Sequence, residues 1–349
     1  MIIDWQHHFA PRELYEKHSG KPGQPVYKRG KVVRRMRPQT YQVDKHLEFM
    51  DTAGIDMAVL SSTTITEGHE IIADCYANLM NEYPDRFIGL APCLPTLGKK
   101  AFEELDRAIK ILGLKGVAIT PQNEGIPLDS EKLYPFYEKI SMLNIPIFVH
   151  VTNAPIGYKA FDANYNLDVT LAREFDIANA VSRVILGGVL MKFPDLKFVF
   201  SHMGGGISAV KERLVRYVHV WGHRFWSEMG GTPPFDEPFG DNFNNYFNKI
   251  YFDMAGFEGG MNTVKCALTA IRPERLLFAT DYPPNFTDDP QAAKNYIENL
   301  KKLDLSSDSI EAILGGNAAN LLNIKPATTG KITILKTVII ISTNDTVIN

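Results

Sequence analysis

Short apolar segments rich in β-branched residues alternate along this chain with longer segments of helical character. Eight segments have the length and composition of strands: Ile2–Trp5, Met57–Ser61, Phe87–Ala91, Lys115–Thr120, Pro146–His150, Lys197–His202, Lys249–Asp253 and Arg275–Thr280. Apolar residues at helical spacing occur between or after them in Val43–Thr52, Leu105–Leu112, Leu133–Leu143 and Asp308–Leu322. Strands that alternate with helices form βαβ units, whose sheet is parallel. Because eight such units close a barrel, we predict an α/β protein with the (β/α)8 TIM barrel fold.

The predicted barrel occupies residues 1–325 as one domain. The alternative fold is an open doubly wound sheet, which typically has a glycine-rich phosphate loop after its first strand. Here Gln6, His7 and His8 occupy that place, which favours the barrel. Residues 326–349 form a tail in which Ile332–Ser342 is β-prone. We expect this tail either to pair with another subunit or to pack loosely.

The composition of the 349-residue chain is that of an ordinary globular protein, with 45% hydrophobic and 22% charged residues. Its 37 basic and 40 acidic residues give a net charge of −3, which argues against a nucleic-acid partner. We find neither the ~18 uncharged apolar residues of a membrane span nor a secretory signal. The three cysteines are widely spaced and form no CxxC pair. We therefore expect a cytoplasmic protein without a membrane partner.

Four residues with reactive side chains stand at the C-terminal ends of predicted strands. His8 follows the first strand, His150 ends the fifth, His202 ends the sixth, and Asp281 follows the eighth. Taken singly, such a histidine more often bonds to backbone, and such an aspartate can begin a turn. In a barrel, however, these four positions converge on one mouth. Two imidazoles and a carboxylate there are typical of a catalytic divalent metal site, beside which a further imidazole can move protons.

Three further side chains are expected to lie outside this chemistry. His7 should point away from the mouth, because successive residues of a strand face opposite sides. His46, on a predicted helix, is expected to be structural or exposed. Cys93, near the end of the third strand, is interpreted as a packed thiol rather than a nucleophile.

Several short motifs accompany these residues. They are Ile-Asp-x-x-x-His at 3–8, Met-Asp-x-x-Gly-Ile at 50–55, Arg-Phe-Ile-Gly-Leu at 86–90, Leu-Gly-Leu-Lys-Gly-Val at 112–117, Phe-Val-His at 148–150, Gly-Gly-Val-x-x-Lys-Phe-Pro-x-Leu-Lys at 187–197, His-x-Gly-Gly-Gly at 202–206, Thr-Asp-Tyr-Pro at 280–283 and Gly-Asn-Ala at 316–318. Together they make the chain resemble the decarboxylase branch of the metal-dependent amidohydrolase superfamily, from about Met1 to Lys325.

The resemblance implies a mononuclear metal site with His8, His150 and Asp281 as ligands. In this branch the first strand usually supplies His-x-His or Glu-x-His, whereas this chain has Gln6 at the first of these positions. An amide oxygen is a poorer ligand than imidazole or carboxylate. Gln6 is therefore expected either to ligate a more weakly held metal or to contact the substrate. We expect a divalent cation, Zn²⁺ first, with Mn²⁺ or Mg²⁺ as alternatives.

The resemblance also assigns roles in the reaction. It implies that His202 is the catalytic histidine and that Arg34 holds the substrate carboxylate. We expect Asp281, beside the metal, to relay a proton. Arg34 belongs to a basic segment after the first strand, which contains Lys28, Arg29, Lys31, Arg34, Arg35 and Arg37. Such a run is ordinarily a solvated surface loop. In a barrel, however, a loop after a strand lies on the face that carries the active site, where it could hold an anion.

The resulting hypothesis is a lyase that performs metal-dependent, non-oxidative decarboxylation of a small unsaturated or aromatic carboxylic acid. The first alternative is another enzyme of the same superfamily, a lactonase-like hydrolase or a hydratase. The second is a barrel that binds an anionic ligand without turning it over. We expect a small-molecule carboxylate as the partner, and a homo-oligomer, dimer or tetramer, as the assembly.

Overall fold

The computed structural model describes residues 1–324, except for 22–23, 29–30, 36, 64–66, 162–164, 222–223, 225–227, 229–239, 258 and 288. Eight parallel strands form one sheet in which consecutive barrel strands are hydrogen-bonded neighbours. They are β1 Ile3–His8, β2 Met57–Ser61, β3 Phe87–Pro92, β4 Gly116–Ile119, β5 Pro146–Val149, β6 Lys197–Phe200, β7 Tyr251–Asp253 and β8 Leu276–Leu277. Each predicted strand segment overlaps one of them, although β1 runs on to His8 and β3 to Pro92, and the predicted barrel is confirmed.

The ring closes between β1 and the segment that follows β8. The backbone N–H of Trp5 donates to the Phe278 carbonyl at 2.9 Å, and the N–H of His8 donates to the Tyr282 carbonyl at 2.7 Å. Between them, the N–H of Asp281 donates to the Gln6 carbonyl at 2.9 Å. These bonds form the seam of the barrel, and they place Asp281 beside the end of β1.

Helices alternate with the strands. They are α1 Arg12–Ser19, α2 Val43–Ala53, α3 His69–Glu82, α4 Lys99–Asp106, α5 Tyr134–Leu143, α6 Tyr158–Phe161, α7 Arg173–Leu186, α8 Val189–Lys192, α9 Ile207–Trp221, α10 Gly240–Phe247, α11 Met261–Leu268, α12 Pro290–Leu300, α13 Ser307–Glu311 and α14 Asn317–Leu321. Single π-helical turns, Arg107–Ile111, Asp168–Ala172 and Ala312–Gly316, adjoin α4, α7 and α14. The four predicted helical segments all lie in this set.

Both faces of the barrel strands are buried, as expected for a parallel sheet. One hydrophobic cluster fills the inside of the barrel, where Trp5 of β1 meets Phe148 of β5 edge-to-face at a ring separation of 6.2 Å. A larger cluster joins the outer face of the strands to the helices. Side chains therefore reach the mouth of the barrel only where a strand ends.

Two short hairpins extend from the barrel, one of Pro25–Lys28 with Lys31–Arg35 and one of Gln122–Asn123 with Ile126–Pro127. The tail at 326–349, including Ile332–Ser342, lies outside the described residues. Its predicted role therefore stays a prediction, as does the domain boundary at 325. Among the helices that the structure describes, none is both long enough and apolar enough to cross a membrane.

Candidate metal centre

A bulge in β1 decides which of its side chains reach the mouth. The strand carries one extra residue between Asp4 and His7, the positions that pair with β2 on either side. As a result, Asp4 and His7 both face the surrounding helices and bond to each other, while Gln6 and His8 face the mouth. The prediction that His7 points away from the mouth is confirmed.

The side chains of His8, His150 and Asp281 converge at the mouth, each with one donor atom within 4.8 Å of the other two. Nδ1 of His8 lies 3.1 Å from the Ser61 carbonyl oxygen. Because a carbonyl only accepts, Nδ1 of His8 carries the proton and donates it. Nε2 then presents its lone pair to Asp281 Oδ1, which is 2.8 Å away. An imidazole lone pair and a carboxylate oxygen that face each other need a cation between them, either a proton or a metal ion. Thr63 orients His150 in a similar way, with 2.7 Å between Oγ1 and Nδ1.

Gln6 lies in the middle of this cluster and is fully buried. Its Nε2 atom is 2.7 Å from Asp281 Oδ1, 3.4 Å from His8 Nε2 and 3.3 Å from His202 Nε2. Its Oε1 atom has no hydrogen-bond partner among the described residues. A half-turn of the amide exchanges the two atoms, so either can face the cluster. Two imidazoles, a carboxylate and a spare amide oxygen form a donor set that fits a divalent metal.

His202 stands beside this cluster and is fixed by three contacts. Its Nδ1 atom is 2.7 Å from Glu174 Oε1, and its backbone N–H donates to Asp253 Oδ1 at 2.9 Å. Its backbone is left-handed, with φ of 56°. A Cβ on Gly256 would lie 2.7 Å from the imidazole, so only glycine leaves room for the ring. These contacts aim Nε2 of His202 into the mouth.

The charges around the cluster set the protonation of its members. Burial alone would lower the pKa of His202, but Glu174 outweighs it and raises that pKa to about 9. Burial would raise the pKa of Asp281, but the bond from His8 lowers it below its usual value. Burial lowers the pKa of His150 well below the ordinary histidine value. Burial would lower the pKa of His8, but its bond to Asp281 raises that pKa above the ordinary value. The mouth thus combines a carboxylate and a neutral imidazole with two imidazoles of raised pKa, so metal donors lie next to a proton donor.

The profile of the amidohydrolase family matches residues 3–324. The chain belongs to this family. Among curated relatives, it is similar to the 2-amino-3-carboxymuconate-6-semialdehyde decarboxylase of Dictyostelium discoideum, with 25% identity over 85% of this chain and 81% of that protein. It is also similar to the gamma-resorcylate decarboxylase of a Polaromonas species, with 26% identity over 80% and 87%. A third relative, the 2-keto-4-carboxy-3-hexenedioate hydratase of a Sphingobium species, is 24% identical over 91% and 94%.

Solved structures give the same fold. The 5-carboxyvanillate decarboxylase of Sphingomonas paucimobilis superposes with a TM-score of 0.75 over 93% of this chain and 99% of that one, at 22% identity. The dihydroxybenzoic acid decarboxylase of a Polaromonas species, solved with bound manganese and 2-nitroresorcinol, gives 0.69 over 93% and 98%, at 24% identity. The superfamily and the barrel expected from the sequence are confirmed, and the decarboxylase class agrees with the names of most of these relatives.

The structure brings together five of the six predicted site residues of this amidohydrolase, namely Gln6, His8, His150, His202 and Asp281. For the sixth, Arg34, only the backbone is described, in the Lys31–Arg35 strand, and the side chain lies outside the described residues. Another member of the basic segment, Arg37, donates through Nη1 to the carbonyls of Pro283 and Pro284. That arginine supports the loop after Asp281, and it is therefore structural.

Three residues near the site escaped the sequence analysis. Asp253 ends a predicted strand, as His150 does. The same position at a strand end could therefore have identified Asp253 as a residue near the site. Glu174 lies inside helix α7 and Thr63 in the loop after β2, where no periodicity distinguishes them. Their contacts with His202 and His150 join residues 28 and 87 positions apart, so sequence spacing could not indicate them.

Proposed function

We propose that this amidohydrolase is a carbon–carbon lyase that decarboxylates a small aromatic or unsaturated carboxylic acid without oxidation, with the help of a divalent metal. The observation that carries the proposal is the pairing of a His8–His150–Asp281 donor set with His202, an imidazole held in its charged form by Glu174. A decarboxylase needs both parts, since a cation must polarise the substrate and an acid must protonate the carbon that loses CO2. The names of the decarboxylase relatives support the same class.

We assign the metal to His8, His150 and Asp281, with the Gln6 amide oxygen as a fourth donor, in a mononuclear site. Zn²⁺ remains our first choice because imidazole and carboxylate suit it. The neutral Gln6 oxygen favours a harder ion, however, and manganese is bound in one structural neighbour, so Mn²⁺ and Mg²⁺ are the alternatives. Metal analysis of purified protein decides between them, and we expect about one ion per chain.

The chain's own residues supply the proton chemistry. When bound, the metal supplies a positive charge that draws electron density from the substrate and orients it. The bond to the carboxylate carbon breaks, its electron pair stays on the neighbouring carbon, and CO2 leaves. His202 gives the proton for the new C–H bond through Asp281, and Glu174 stabilises His202 while it is charged. Arg34 is assigned to hold a substrate carboxylate by a bidentate contact.

The test is a screen of aromatic and unsaturated carboxylic acids against protein loaded with Mn²⁺ or Zn²⁺, in which CO2 and product mass are both measured. We expect release of one CO2 per substrate and loss of turnover after chelation. Binding of carboxylates without turnover in every metal form would instead support the ligand-binding alternative. Opening of a lactone would support the hydrolase alternative.

A hydratase is the second candidate, because a relative named as a hydratase covers almost the whole of this chain. The same donor set would then serve addition of water to a double bond, with His202 moving a proton. The product decides between the two, since hydration adds the mass of one water and releases no CO2. A substrate that gains water while keeping all its carbon would replace the decarboxylase proposal.

We further propose a cytoplasmic enzyme that assembles as a homodimer or homotetramer. Cys75, Cys93 and Cys266 are free thiols in the structure, which fits a reducing compartment. Light scattering coupled to gel filtration measures the assembly, and a monomeric mass would contradict this part of the proposal.

A further inference from the structure

A chain of buried polar side chains lies on the outer face of β1, behind the mouth. His7 Nδ1 is 2.8 Å from Asp4 Oδ2, and His7 Nε2 is 2.7 Å from His46 Nδ1. His46 Nε2 is 2.7 Å from the Gln39 carbonyl oxygen. Asp4, His7 and His46 are all fully buried. We refer to these three residues as the outer chain.

The direction of the bonds in the outer chain follows from the carbonyl at its end. A carbonyl only accepts, so His46 Nε2 is the donor to Gln39. Burial keeps His46 neutral by lowering its pKa well below the ordinary value, so its Nδ1 accepts from His7 Nε2. One proton then remains to be shared between His7 Nδ1 and Asp4 Oδ2. Every member therefore depends on the next for its orientation.

The outer chain is attached to the turn that contains Asp281. Asp4 Oδ1 accepts the backbone N–H of Thr280 at 2.8 Å, and Asp4 Oδ2 accepts the Thr280 hydroxyl at 2.5 Å. Thr280 Oγ1 in turn accepts the N–H of Tyr282 at 3.2 Å. The residue on each side of Asp281 is thus held, directly or through Thr280, by Asp4.

Packing secures the other side of the same turn. The Tyr282 ring stacks on Phe49 at 3.9 Å and lies 5.1 Å from the rings of both His7 and His46. Asp281 has a left-handed backbone, with φ of 63°, which L-residues rarely adopt without support. The backbone geometry that aims the Asp281 carboxylate into the mouth therefore depends on groups outside the barrel wall.

We propose that Asp4, His7 and His46 act together as positioning residues, which hold the Thr280–Tyr282 turn so that the Asp281 carboxylate keeps its place among the metal donors. The inference rests on the proposed function, in which Asp281 is a metal ligand. It adds that a histidine pair with no contact to the mouth sets the affinity of the site. Partners of metal ligands commonly contribute about 10- to 100-fold to affinity.

The experiment measures Mn²⁺ affinity of metal-free protein by calorimetry, with thermal unfolding of each variant alongside. His46→Leu keeps the volume but removes both hydrogen bonds, and we expect it to weaken Mn²⁺ binding about 10- to 100-fold. His46→Gln can still accept from His7 and donate to Gln39, and we expect near-parental affinity. Thr280→Val removes the hydroxyl that joins Asp4 to the N–H of Tyr282, and we expect it to weaken Mn²⁺ binding as well. It tests the same connection if His46→Leu does not fold.

Tyr76→Phe is the matched control. The Tyr76 hydroxyl is buried and donates to the Phe9 carbonyl at 2.7 Å, so its loss removes one buried bond next to the end of β1 and none of the hydrogen bonds of the outer chain. We expect reduced thermal stability with unchanged Mn²⁺ affinity. Equal weakening by Leu and Gln at position 46, weakening by Tyr76→Phe, or parental affinity in both His46→Leu and Thr280→Val would each overturn the inference.

Asp281→Asn separates this inference from the proposed function. If Asp281→Asn binds Mn²⁺ as tightly as the parent, the metal site itself is wrongly assigned and the proposed function fails. If Asp281→Asn loses Mn²⁺ while folded His46→Leu and Thr280→Val both keep it, the metal site stands and only the positioning role is overturned.

Discussion

Gln6 is the residue that most distinguishes this site from the pattern of its superfamily. A neutral amide stands where imidazole or carboxylate is usual, yet it contacts His8, His202 and Asp281 at once. Because an amide both donates and accepts, Gln6 can stabilise these neighbours in metal-free protein and turn its oxygen to an ion when one binds. The same contacts also place it where a substrate would lie.

Two substitutions separate these roles of Gln6. If Gln6 is a ligand, Gln6→Ala should lower metal content while the fold survives, and Gln6→His should raise Zn²⁺ affinity because imidazole is the better donor. If Gln6 instead contacts the substrate, Gln6→Ala should keep the metal and raise KM. Metal titration and steady-state kinetics of both variants provide the measurement. Unchanged values in both would show that Gln6 serves neither role.

His202 is held outside the donor cluster, and its substitution should separate chemistry from metal binding. We expect His202→Ala to lower kcat by about 10²- to 10⁴-fold, since it removes the proton donor, and to leave most of the metal in place. His219→Ala, at an exposed position of α9, is the control and should match the parent. Loss of the metal from His202→Ala would make His202 a ligand and contradict its assignment here.

Among the elements, helix α7 serves the site most directly. Glu174, at its second position, contacts His202, while Asp176 is buried two residues further on. Burial raises the pKa of Asp176 to about 6. Helix α7 therefore carries, two residues from Glu174, a buried carboxyl whose ionisation lowers the free energy of unfolding.

The loss of stability caused by Asp176 should depend on pH. The unfolded chain ionises Asp176 near pH 3.8 and the folded chain only near pH 6, so the folded protein loses stability as pH rises between these values. Asp176→Asn should therefore raise the free energy of unfolding by about 1–2 kcal/mol at about pH 7.5 and hardly change it near pH 4. Urea denaturation at both pH values measures this. A gain of the same size at both would contradict the ionisation argument.

The hairpin after β1 is the element expected to bind the substrate. Arg34 lies on its second strand, paired with Val26 of the first. Arg34→Ala should raise KM for the carboxylate substrate about 10- to 100-fold, the value of a charge-assisted bidentate bond, with a smaller effect on metal content. Arg35→Ala removes the same charge one residue away and should change KM much less. Equal effects of both variants would assign the segment to general electrostatic attraction.

At the scale of the whole molecule, the seam between β1 and β8 couples metal binding to the stability of the barrel. The β8 ladder with β7 has two residue pairs, and the rest of the closure depends on single backbone bonds after Leu277. His8 and Asp281 lie on the two sides of this seam, and His150 lies across the mouth, directly after β5. A metal held by all three would join the seam to the opposite wall.

Removal of the metal should therefore destabilise the folded barrel. Free metal at 100 times its dissociation constant adds about 2.7 kcal/mol to the free energy of unfolding. We expect EDTA to lower the Tm and added Mn²⁺ or Zn²⁺ to restore it, whereas Ca²⁺, which prefers more oxygen ligands, should not. The Tm of Asp281→Asn should change neither with EDTA nor with added Mn²⁺ or Zn²⁺. A Tm that is independent of metal would contradict a site that bridges the seam.

Sequence alone determined the barrel and the identity of the residues at its mouth. Periodicity is a local property, and each of the eight strands overlaps the segment where apolar, β-branched residues predicted it. The C-terminal ends of parallel strands share one edge, so polar residues at the ends of strands 1, 5, 6 and 8 had to meet. His8, His150 and Asp281 therefore came together as predicted, although they are up to 273 residues apart.

Tertiary structure alone decided how these residues are held. The bulge in β1 places Asp4 on the same outer face as His7, and pairing with a neighbouring strand is needed to reveal it. The partner of His202 comes from helix α7, and the partner of His7 comes from α2. These contacts depend on how helices pack against the outside of the barrel, which local periodicity does not encode. Sequence thus predicted which groups reach the mouth, whereas long-range packing determined their tautomers, charges and orientation.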